Sequence, residues 1–487
     1  MGANRLPIIA DASVRRRPAA GSGGGTSSGP ERAGPLGRVM RTWRSAPLLG
    51  DVLAPERNSF GVLRLMLALA VLISHAVFLR TGSFAAEPLV GLTGYSLGQY
   101  AVQGFFVLSG ILVTQSLVNR GDLFDYGRAR AFRIFPALIA CVLITALIVG
   151  PALSTLGVAA YFGSLDVPKY IAKTLSLSTG SATLPGVFAN SPADGAVNQS
   201  LWTLKYEVAC YLLLGAIAAL IWRMKARRTV TAAALAVWAA LTLILNPNLH
   251  HAGGFFDTLT YFMLFFGTGV TAYLLRGSIR LSWLPLPVLA IVFAMLWRTD
   301  LAEISSAAFL GYGMVWLATY TFGALRAYTA TNDYSYGVYI YSYPVTQAIL
   351  MVHPGIPVLQ LIGWTLALTL VLAYLSWELV ERPALDAVHR WRAQGSHGQA
   401  PQPQPEQATP TGPPEAPHAA GAELPSSVAE TPPQDAGPAE IETRGEWRVP
   451  PPRPFVQKPP APVPLDKSRL KARLAKIAEE ARHRPPV

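Results

Sequence analysis

The chain has 487 residues, of which 51% are hydrophobic and only 14% are charged, and its mean hydropathy is +0.33. These values exclude an ordinary soluble protein of this size, and repeated uncharged runs of membrane length indicate a polytopic membrane protein. The net charge of +12 does not indicate nucleic-acid binding, because the arginines cluster beside apolar runs, where membrane topology requires them. Cys141 and Cys210 both lie inside apolar runs, so they offer no disulfide or zinc framework.

Apolar runs along the chain predict an all-α bundle of about ten transmembrane helices. The predicted spans are 58–79, 97–117, 131–150, 201–222, 230–246, 256–275, 281–297, 304–325, 335–352 and 357–379, and Pro383 is expected to end the last helix. If the N-terminus is cytoplasmic, the inside loops carry eleven basic residues and the outside loops carry four. The positive-inside rule therefore predicts ten spans with both termini in the cytoplasm.

Two tails are predicted to flank a membrane domain at 56–385. Residues 1–55 are basic and rich in Gly, Ser and Pro, which predicts a disordered cytoplasmic tail. They lack an apolar segment, so the first span is expected to act as an uncleaved signal anchor. Residues 386–465 are rich in Pro, Ala, Gly and Glu, which predicts a disordered cytoplasmic linker. Residues 466–487 predict a short basic helix, which either lies on the inner membrane surface or is merely solvated.

The first span contains two residues that a membrane helix does not need, Arg64 and His75. They are eleven positions apart, about three turns, so they lie within about 20° of the same helix face and about 16 Å apart along the axis. Ionisable residues inside a span usually face the bundle interior or a water-filled cavity. A structural role for both residues, bonded to neighbouring helices, remains the alternative.

The fourth predicted span begins "NQSLWTLKYEVACYLLL" and places Glu207 and Tyr211 on one face, four residues apart. Trp202 has the position of an interfacial anchor, and Glu207 lies about 7–8 Å below it, at the depth expected for His75. A carboxylate at this depth predicts a partner for His75 as a general base. The alternative is a structural pair with Lys205, although residues two apart do not face each other on a helix.

Two further patterns carry polar groups. Arg130 and Arg133 stand three residues apart in "YGRARAFRIFP" and suit a phosphate group, although topology or anionic headgroups also explain them. Tyr336, Tyr339 and Tyr343 share one face of the ninth span. Such a stripe is typical of packing or of an interfacial belt, and it could also contact a sugar ring.

These residues fall within six motifs that resemble, in order, those of the acyltransferase-3 family of integral membrane O-acyltransferases. The motifs are "RLMLALAVLISH", "GFFVLSG", "RAFRIFP", "LWTLKYEVACY", "SYGVYIYSYPV" and "ERP", and the resemblance covers about residues 55–385. It implies transfer of an acyl group, usually acetyl from acetyl-CoA, to a hydroxyl of a cell-envelope or exported carbohydrate. It also implies a multi-pass protein of the bacterial inner membrane.

The resemblance suggests roles for the candidate residues. His75, supported by Glu207, would deprotonate the acceptor hydroxyl or would itself carry the acyl group, and Arg64 would orient the donor or stabilise charge on the thioester oxygen. Arg130 and Arg133 would hold the phosphates of the acyl-CoA. The expected substrate-binding residues are Trp202, Tyr211, Tyr336 and Tyr339.

Two other classes of function remain open on the sequence alone. An intramembrane Arg, His and Glu could form the proton relay of a glycan or small-molecule transporter or flippase, although no repeated half is present. A non-catalytic scaffold with recruiting tails is the third possibility. The expected partners are acyl-CoA, a carbohydrate or glycolipid acceptor and the lipid bilayer, and neither a metal nor a nucleic acid is expected.

Overall fold

A computed structural model describes residues 35–54, 57–179, 182–193, 195–224, 254–320 and 322–397. Within these ranges the chain forms helices and no β-strand, with isolated backbone bridges at Leu48–Arg280 and Thr183–Ala196. The all-α prediction is therefore confirmed. The predicted tail segments 1–34 and 398–487, and the fifth predicted span at 230–246, lie outside the described residues.

The α-helices of the described ranges are α1 Pro35–Ser45, α2 Leu49–Val52, α3 Phe60–Thr81, α4 Val90–Thr93, α5 Leu97–Arg120, α6 Leu123–Ile144, α7 Gly150–Leu153, α8 Val158–Gly163, α9 Asp166–Leu175, α10 Leu204–Arg223, α11 Phe255–Leu274, α12 Pro285–Leu296, α13 Ala302–Leu317, α14 Ala324–Thr331, α15 Ser335–Val352, α16 Val358–Ser376 and α17 Arg382–His397. Turns of 3₁₀ type occur at Phe84–Ala86 and Gln199–Thr203. Turns of π type occur at Thr145–Val149 and Trp377–Glu381.

Local sequence signals set the ends of α5 and the start of α6. Ser96 caps α5 because its hydroxyl accepts from the Gln99 amide at 3.1 Å, while the Gln99 side chain accepts from the Ser96 amide at 2.8 Å. The helix ends at Gly121, whose φ of 65° is the left-handed conformation that glycine adopts without strain. Asp122 follows at once and caps α6 by accepting from the Asp125 amide at 2.7 Å. The two helices are therefore joined by a sharp two-residue turn.

The centre of the bundle contains a close crossing of α5 and α11. Gly110 and Gly269 face each other there, and a Cβ atom on either one would collide with backbone of the opposite helix. Phe106 and Phe262 stack beside the crossing, with ring centroids 4.2 Å apart. Small residues in "GFFVLSGIL" predict such an approach, and the structure confirms it.

Helices α10 and α11 run in the same direction. Tyr206 packs on Phe255 with ring centroids 5.3 Å apart, and the later residue Tyr211 packs near the later residue Phe266 at 6.2 Å. The end of α10 and the start of α11 therefore lie at opposite ends of the bundle. The fifth predicted span falls between them in sequence, and it remains a prediction.

The described helices make the chain a multi-pass membrane protein. Five segments are long and apolar enough to cross a bilayer, judged by length and composition, namely Phe60–Thr81, Leu97–Arg120, Leu123–Leu153, Gln199–Arg223 and Val358–Val388. The remaining helices at predicted spans are shorter or more polar, so the count of ten is not confirmed. The eighth predicted span is also interrupted, because α13 ends at Leu317 and Gly323, with a φ of 54°, precedes the separate helix α14.

Pro383 does not end the last helix, and that prediction is wrong. The π-turn Trp377–Glu381 joins α16 to α17, and the Arg382 amide bonds to the Trp377 carbonyl five residues back. This wider turn lets the chain accept Pro383, because the proline ring no longer meets a carbonyl that is held in a regular α-helical ladder. The helix then continues to His397.

The glycine crossing can be tested by adding one methyl group. We expect Gly110→Ala to lower the free energy of unfolding by about 1–3 kcal/mol, because the new Cβ would overlap the Phe266 carbonyl and force α5 and α11 apart. Gly127→Ala is the matched control, since it also lies inside a helix but its added Cβ would meet nothing within 4 Å. Thermal unfolding of the purified protein in detergent measures both, and equal transition temperatures would contradict the close crossing.

Candidate active site

Two arginines from different helices converge on one carboxylate. Arg64 of α3 and Arg133 of α6 both donate to Oδ2 of Asp333, in the loop before α15, and the Arg133 distance is 2.6 Å. Glu381, in the π-turn after α16, lies 3.6 Å from the other terminal nitrogen of Arg133. We call Arg64, Arg133, Asp333 and Glu381 the Asp333 cluster. Its ion pairs link four separate parts of the chain.

The Asp333 cluster balances its charges, with two guanidinium groups against two carboxylates. Burial raises the pKa of Asp333, but the charges of Arg133 and Arg64, together with hydrogen bonds from Ser335, outweigh burial and lower that pKa to about 2. Oδ1 of Asp333 accepts from the Ser335 hydroxyl at 2.5 Å. Asp333 is therefore ionised at any physiological pH and fixes both arginines.

Asp333 is a residue that the sequence analysis missed. It stands two residues before the ninth predicted span, where an acid is usually a helix cap. Its one distinguishing signal is that an uncompensated Arg64 inside a membrane helix requires an acidic partner somewhere in the chain. Sequence spacing does not identify that partner, because Asp333 follows Arg64 by 269 residues.

A small cavity of about 60 Å³ lies between α3, α5, α10 and α15. Its polar lining combines one cation, one carboxylate and several hydroxyls, and aromatic and aliphatic side chains complete the wall. The lining residues are Arg64, Val102, Phe105, Phe106, Ser109, Thr203, Leu204, Glu207, Ser335, Tyr336 and Tyr339. The structure therefore brings four of the predicted site residues together, Arg64, Glu207, Tyr336 and Tyr339.

Glu207 bonds within the cavity wall. Its Oε1 accepts from the Tyr211 hydroxyl, one turn along α10, and from the Ser109 hydroxyl of α5 at 3.4 Å. The alternative pairing with Lys205 does not form, because the Lys205 ammonium lies 4.9 Å from the ring centre of Tyr206 instead. Glu207 is thus an acceptor that faces the cavity across from Arg64.

His75 is held at a different place, beside the 3₁₀ turn Gln199–Thr203. Its Nδ1 lies 3.3 Å from the Ser200 hydroxyl, and its ring packs edge-on against Tyr343 with centroids 5.0 Å apart. The predicted contact with Glu207 is not made among the described residues, which corrects the assignment of Glu207 as its direct partner. The reason is axial offset, because Glu207 follows Ser200 by seven residues and therefore lies about 10 Å farther along the bundle.

The turn that bonds His75 also bonds the cavity wall, through a different group of Ser200. The Tyr339 hydroxyl donates to the Ser200 carbonyl at 2.8 Å and lies 2.6 Å from the Thr203 hydroxyl. A phenol carries one proton, so the Thr203 hydroxyl must be the donor to Tyr339. Because Thr203 and Tyr339 line the cavity while Ser200 contacts His75, only the width of this turn separates the imidazole from the cavity.

The two arginines predicted to form a phosphate site have different surroundings. Arg133 belongs to the Asp333 cluster, where two carboxylates offset its charge. No ion pair joins Arg130 to any acid in the described part of the chain, and its buried Nε has no hydrogen-bond partner there. Its guanidinium lies 6.0 Å from the ring centre of Tyr211, which bonds Glu207. Arg130 is thus the more available of the two for an anion.

The predicted tyrosine stripe is buried, and its hydroxyls bind other parts of the protein. Tyr336 donates to the Ile134 carbonyl at 2.9 Å, and Tyr343 donates to the Gln199 side chain at 3.0 Å. These bonds leave ring faces and edges, rather than hydroxyls, for a ligand. Trp202 is 37% exposed, packs on Phe262 with ring centroids 5.5 Å apart, and is not among the residues that line the cavity.

Comparisons with known proteins agree with the geometry. A family model described as an acyltransferase domain matches residues 57–378. The chain is 31% identical over 343 residues to a protein named O-acetyl transferase from Shigella phage Sf6, covering 67% of this chain and 96% of the phage protein. It is 30% identical over 363 residues to nodulation protein 10 of Rhizobium leguminosarum bv. viciae, covering 68% of this chain and 94% of that protein. No solved structure matches.

The Asp333 cluster predicts a large cost for removing one charge. We expect Asp333→Asn to lower the free energy of unfolding by about 3 kcal/mol, because it leaves Arg64 and Arg133 partly buried without their shared counter-ion. Asp166→Asn is the control, since the Asp166–Lys169 pair is 60% exposed at both side chains and should contribute less than about 1 kcal/mol. Thermal unfolding in detergent compares the two losses.

The pH dependence gives the same prediction a second readout. The folded pKa of Asp333 is depressed to about 2, so the stability from its charge is present above its ordinary value of 3.8 and is lost as the pH falls through about 2. The difference in unfolding temperature between the native protein and Asp333→Asn should therefore persist at pH 4–8 and shrink below it. A difference that stays constant down to pH 2 would contradict an ionic role for Asp333.

Proposed function

Because this chain belongs to the acyltransferase-3 family of integral membrane acyltransferases, we propose that it transfers an acetyl group from acetyl-CoA to a hydroxyl of a cell-envelope or exported carbohydrate. Membership makes the chain an acyltransferase, and it leaves the transporter and scaffold alternatives without support. The name of the phage relative, O-acetyl transferase, supports acetyl as the group transferred. The carbohydrate acceptor rests on the resemblance of the motifs.

One structural observation carries the proposal. A polar cavity lies within the bundle, with an arginine that has no acidic partner among the described residues near one end and the His75 imidazole near the other. A membrane enzyme with a water-soluble donor and an acceptor on the opposite side needs this order of groups. Arg130 and Asp333 lie at the ends of spans that the topology predicts to be cytoplasmic, and His75 lies toward the opposite face.

On the donor side, the phosphates of acetyl-CoA cannot enter the hydrocarbon and must be held at the cytoplasmic surface. In the proposal Arg130 binds them, because its charge is not offset by a described acid. Arg133 then has a supporting role, since it holds Asp333 and through it Arg64. The uncharged pantetheine arm would extend into the cavity, where Glu207 and Ser109 offer acceptors for its amide N–H groups.

On the acceptor side, His75 is the proposed general base. The acceptor oxygen forms a bond to the thioester carbonyl carbon while its proton passes to His75. The carbon–sulfur bond then breaks, and His75 returns the proton to the departing thiolate, so the products are the acetyl ester and CoA. Arg64, which lines the cavity about 16 Å from His75 along α3, would orient the donor. Trp202 would contact the acceptor.

The proposed location follows from the same arrangement. Acetyl-CoA is cytoplasmic, so the protein would lie in the bacterial inner membrane with its Arg130 end and both termini facing the cytoplasm. The acceptor would approach from the outer side, past Trp202 and the segment between α7 and α10, which contains α8 and α9.

The proposed reaction is tested by replacing His75. We expect His75→Ala to lower the transfer of labelled acetyl from acetyl-CoA into envelope carbohydrate by at least about 100-fold, because no described group replaces the base. His353→Ala is the matched control, since His353 is exposed at the end of α15. The assay uses membranes with equal amounts of each protein. Full activity in His75→Ala would overturn the general-base role, and labelled protein in the native sample would show an acyl-imidazole intermediate instead.

The donor site is tested with two donors. We expect Arg130→Gln to raise the KM for acetyl-CoA by about 10- to 100-fold, the effect of one charge-assisted contact, and to leave the KM for S-acetylpantetheine unchanged. The truncated donor carries no phosphate, so it does not need the guanidinium. Arg223→Gln, at the exposed end of α10, is the control. An equal effect on both donors would mean that Arg130 acts on the fold rather than on phosphate.

A further inference from the structure

Ser200 is the partner that the structure gives to His75. Its side chain is 1% exposed, and its hydroxyl lies 3.3 Å from Nδ1 of the imidazole. In the part of the chain that the structure describes, no other hydrogen bond involves a ring nitrogen of His75. The predicted partner Glu207 bonds Tyr211 and Ser109 instead. The orientation of the imidazole therefore depends on Ser200.

The turn that carries Ser200 is fixed to α15 from both sides. Tyr339 donates to the Ser200 carbonyl at 2.8 Å, and Gln347 donates to the Ala196 carbonyl at 2.7 Å. In the reverse direction, the Asn198 amide donates to the Ile340 carbonyl at 2.7 Å. Irregular backbone within a membrane bundle must have its polar groups satisfied, and α15 does this for the turn. The Ser200 hydroxyl is consequently held at a fixed height on the bundle.

The ring of His75 has a second constraint. Tyr343 packs against it at close to a right angle, and the Tyr343 hydroxyl is fixed by Gln199, the neighbour of Ser200. A planar ring with one nitrogen bonded and a second ring packed against it at a right angle retains a single orientation. The remaining nitrogen, Nε2, then points away from the turn.

We propose that Ser200 is the positioning residue for His75, accepting a hydrogen bond from Nδ1–H so that the Nε2 lone pair is the one offered to the substrate. This inference rests on the proposed function, because it assigns the general-base step to one nitrogen. A neutral imidazole has one protonated nitrogen, so a proton held on Nδ1 leaves Nε2 free to accept. Without Ser200 both tautomers would be populated, and part of the protein would present an N–H where a base is needed.

The choice of a hydroxyl rather than a carboxylate has a consequence for the reaction. When Nε2 takes the proton from the acceptor hydroxyl, Nδ1–H continues to donate to Ser200, and no acid among the described residues bonds the newly charged ring. A carboxylate at this position would add an ion pair to the imidazolium, whereas Ser200 offers a hydrogen bond without that charge. With Ser200 the proton on Nε2 passes on to the thiolate when the carbon–sulfur bond breaks, which returns the imidazole to its starting state.

The direct test is nuclear magnetic resonance of protein labelled with ¹⁵N in histidine. The chain has eight histidines, so comparison with His75→Gln assigns the His75 signals. In the native protein we expect shifts of a neutral ring protonated at Nδ1, and in Ser200→Ala the shifts of mixed tautomers. A native protein protonated at Nε2, or a tautomer unchanged in Ser200→Ala, would overturn the proposal. This readout needs no substrate, so it remains decisive even if acetyl transfer is not the reaction.

Kinetics give the second test. We expect Ser200→Ala to lower kcat for acetyl transfer by about 10- to 100-fold with the KM for acetyl-CoA unchanged, and Ser200→Thr, which keeps a hydroxyl, to recover most of the loss. Ser342→Ala is the matched control, because the hydroxyl of this fully buried serine of α15 bonds only the Tyr339 carbonyl among the described residues, at 3.5 Å. An unchanged kcat in Ser200→Ala, or an equal loss in Ser342→Ala, would overturn the proposal. Native protein without acetyl transfer would refute the proposed function alone.

Discussion

The shared ion pair at Asp333 is the constraint on which the rest of this bundle depends. A guanidinium within a membrane protein is stable only when it is paired, and here Arg64 and Arg133 share one carboxylate while Glu381 supports the second arginine. The pairing ties the start of α3 and the middle of α6 to the loop before α15 and to the turn after α16. Because each arginine has a fixed partner, Arg64 can line the cavity without disturbing the fold. The same balance makes Arg133 a poor ligand for an external anion.

Helix α15 connects this cluster to the other end of the site. Its first residues follow Asp333, its middle carries Tyr339 at the cavity wall, and one turn later Tyr343 packs on His75. The side chains of the same helix also hold the turn that contains Ser200. One rigid helix therefore sets the distance between the charged end and the imidazole end. A bundle in which these groups sat on separate loops would not hold them in register, and precise placement is what proton transfer requires.

The narrow cavity follows from the helix crossing beside it. Gly110 and Gly269 let α5 approach α11 closely, so α5 presents Ser109 to Glu207 at the cavity wall. Arg130, which no described acid pairs, stands on the other side of Tyr211 from this carboxylate. The arrangement suits a donor that has a charged end outside the bundle and a thin uncharged arm inside it. In the proposed reaction the donor loses its freedom of movement when it binds. The transfer step itself then involves only the movement of a proton and the exchange of one bond for another.

Much of the molecule is decided by local sequence. Hydropathy predicts the helices, and small residues predict the glycine crossing. Helical periodicity also puts Arg64 and His75 on one face, because residues of one helix are related by a fixed rotation and rise.

Only the tertiary structure decided the partners of those residues. Arg64 pairs with an acid 269 residues away, and His75 meets a serine 125 residues away rather than the glutamate about two turns beyond that serine. Which side chains meet across two helices depends on their axial offset. Each residue advances a helix by about 1.5 Å, so an error of a few residues in the predicted start of a helix displaces a side chain by the length of a hydrogen bond or more. The sequence therefore determined which residues share a face of each helix, and the packing of the helices against one another determined which side chains meet.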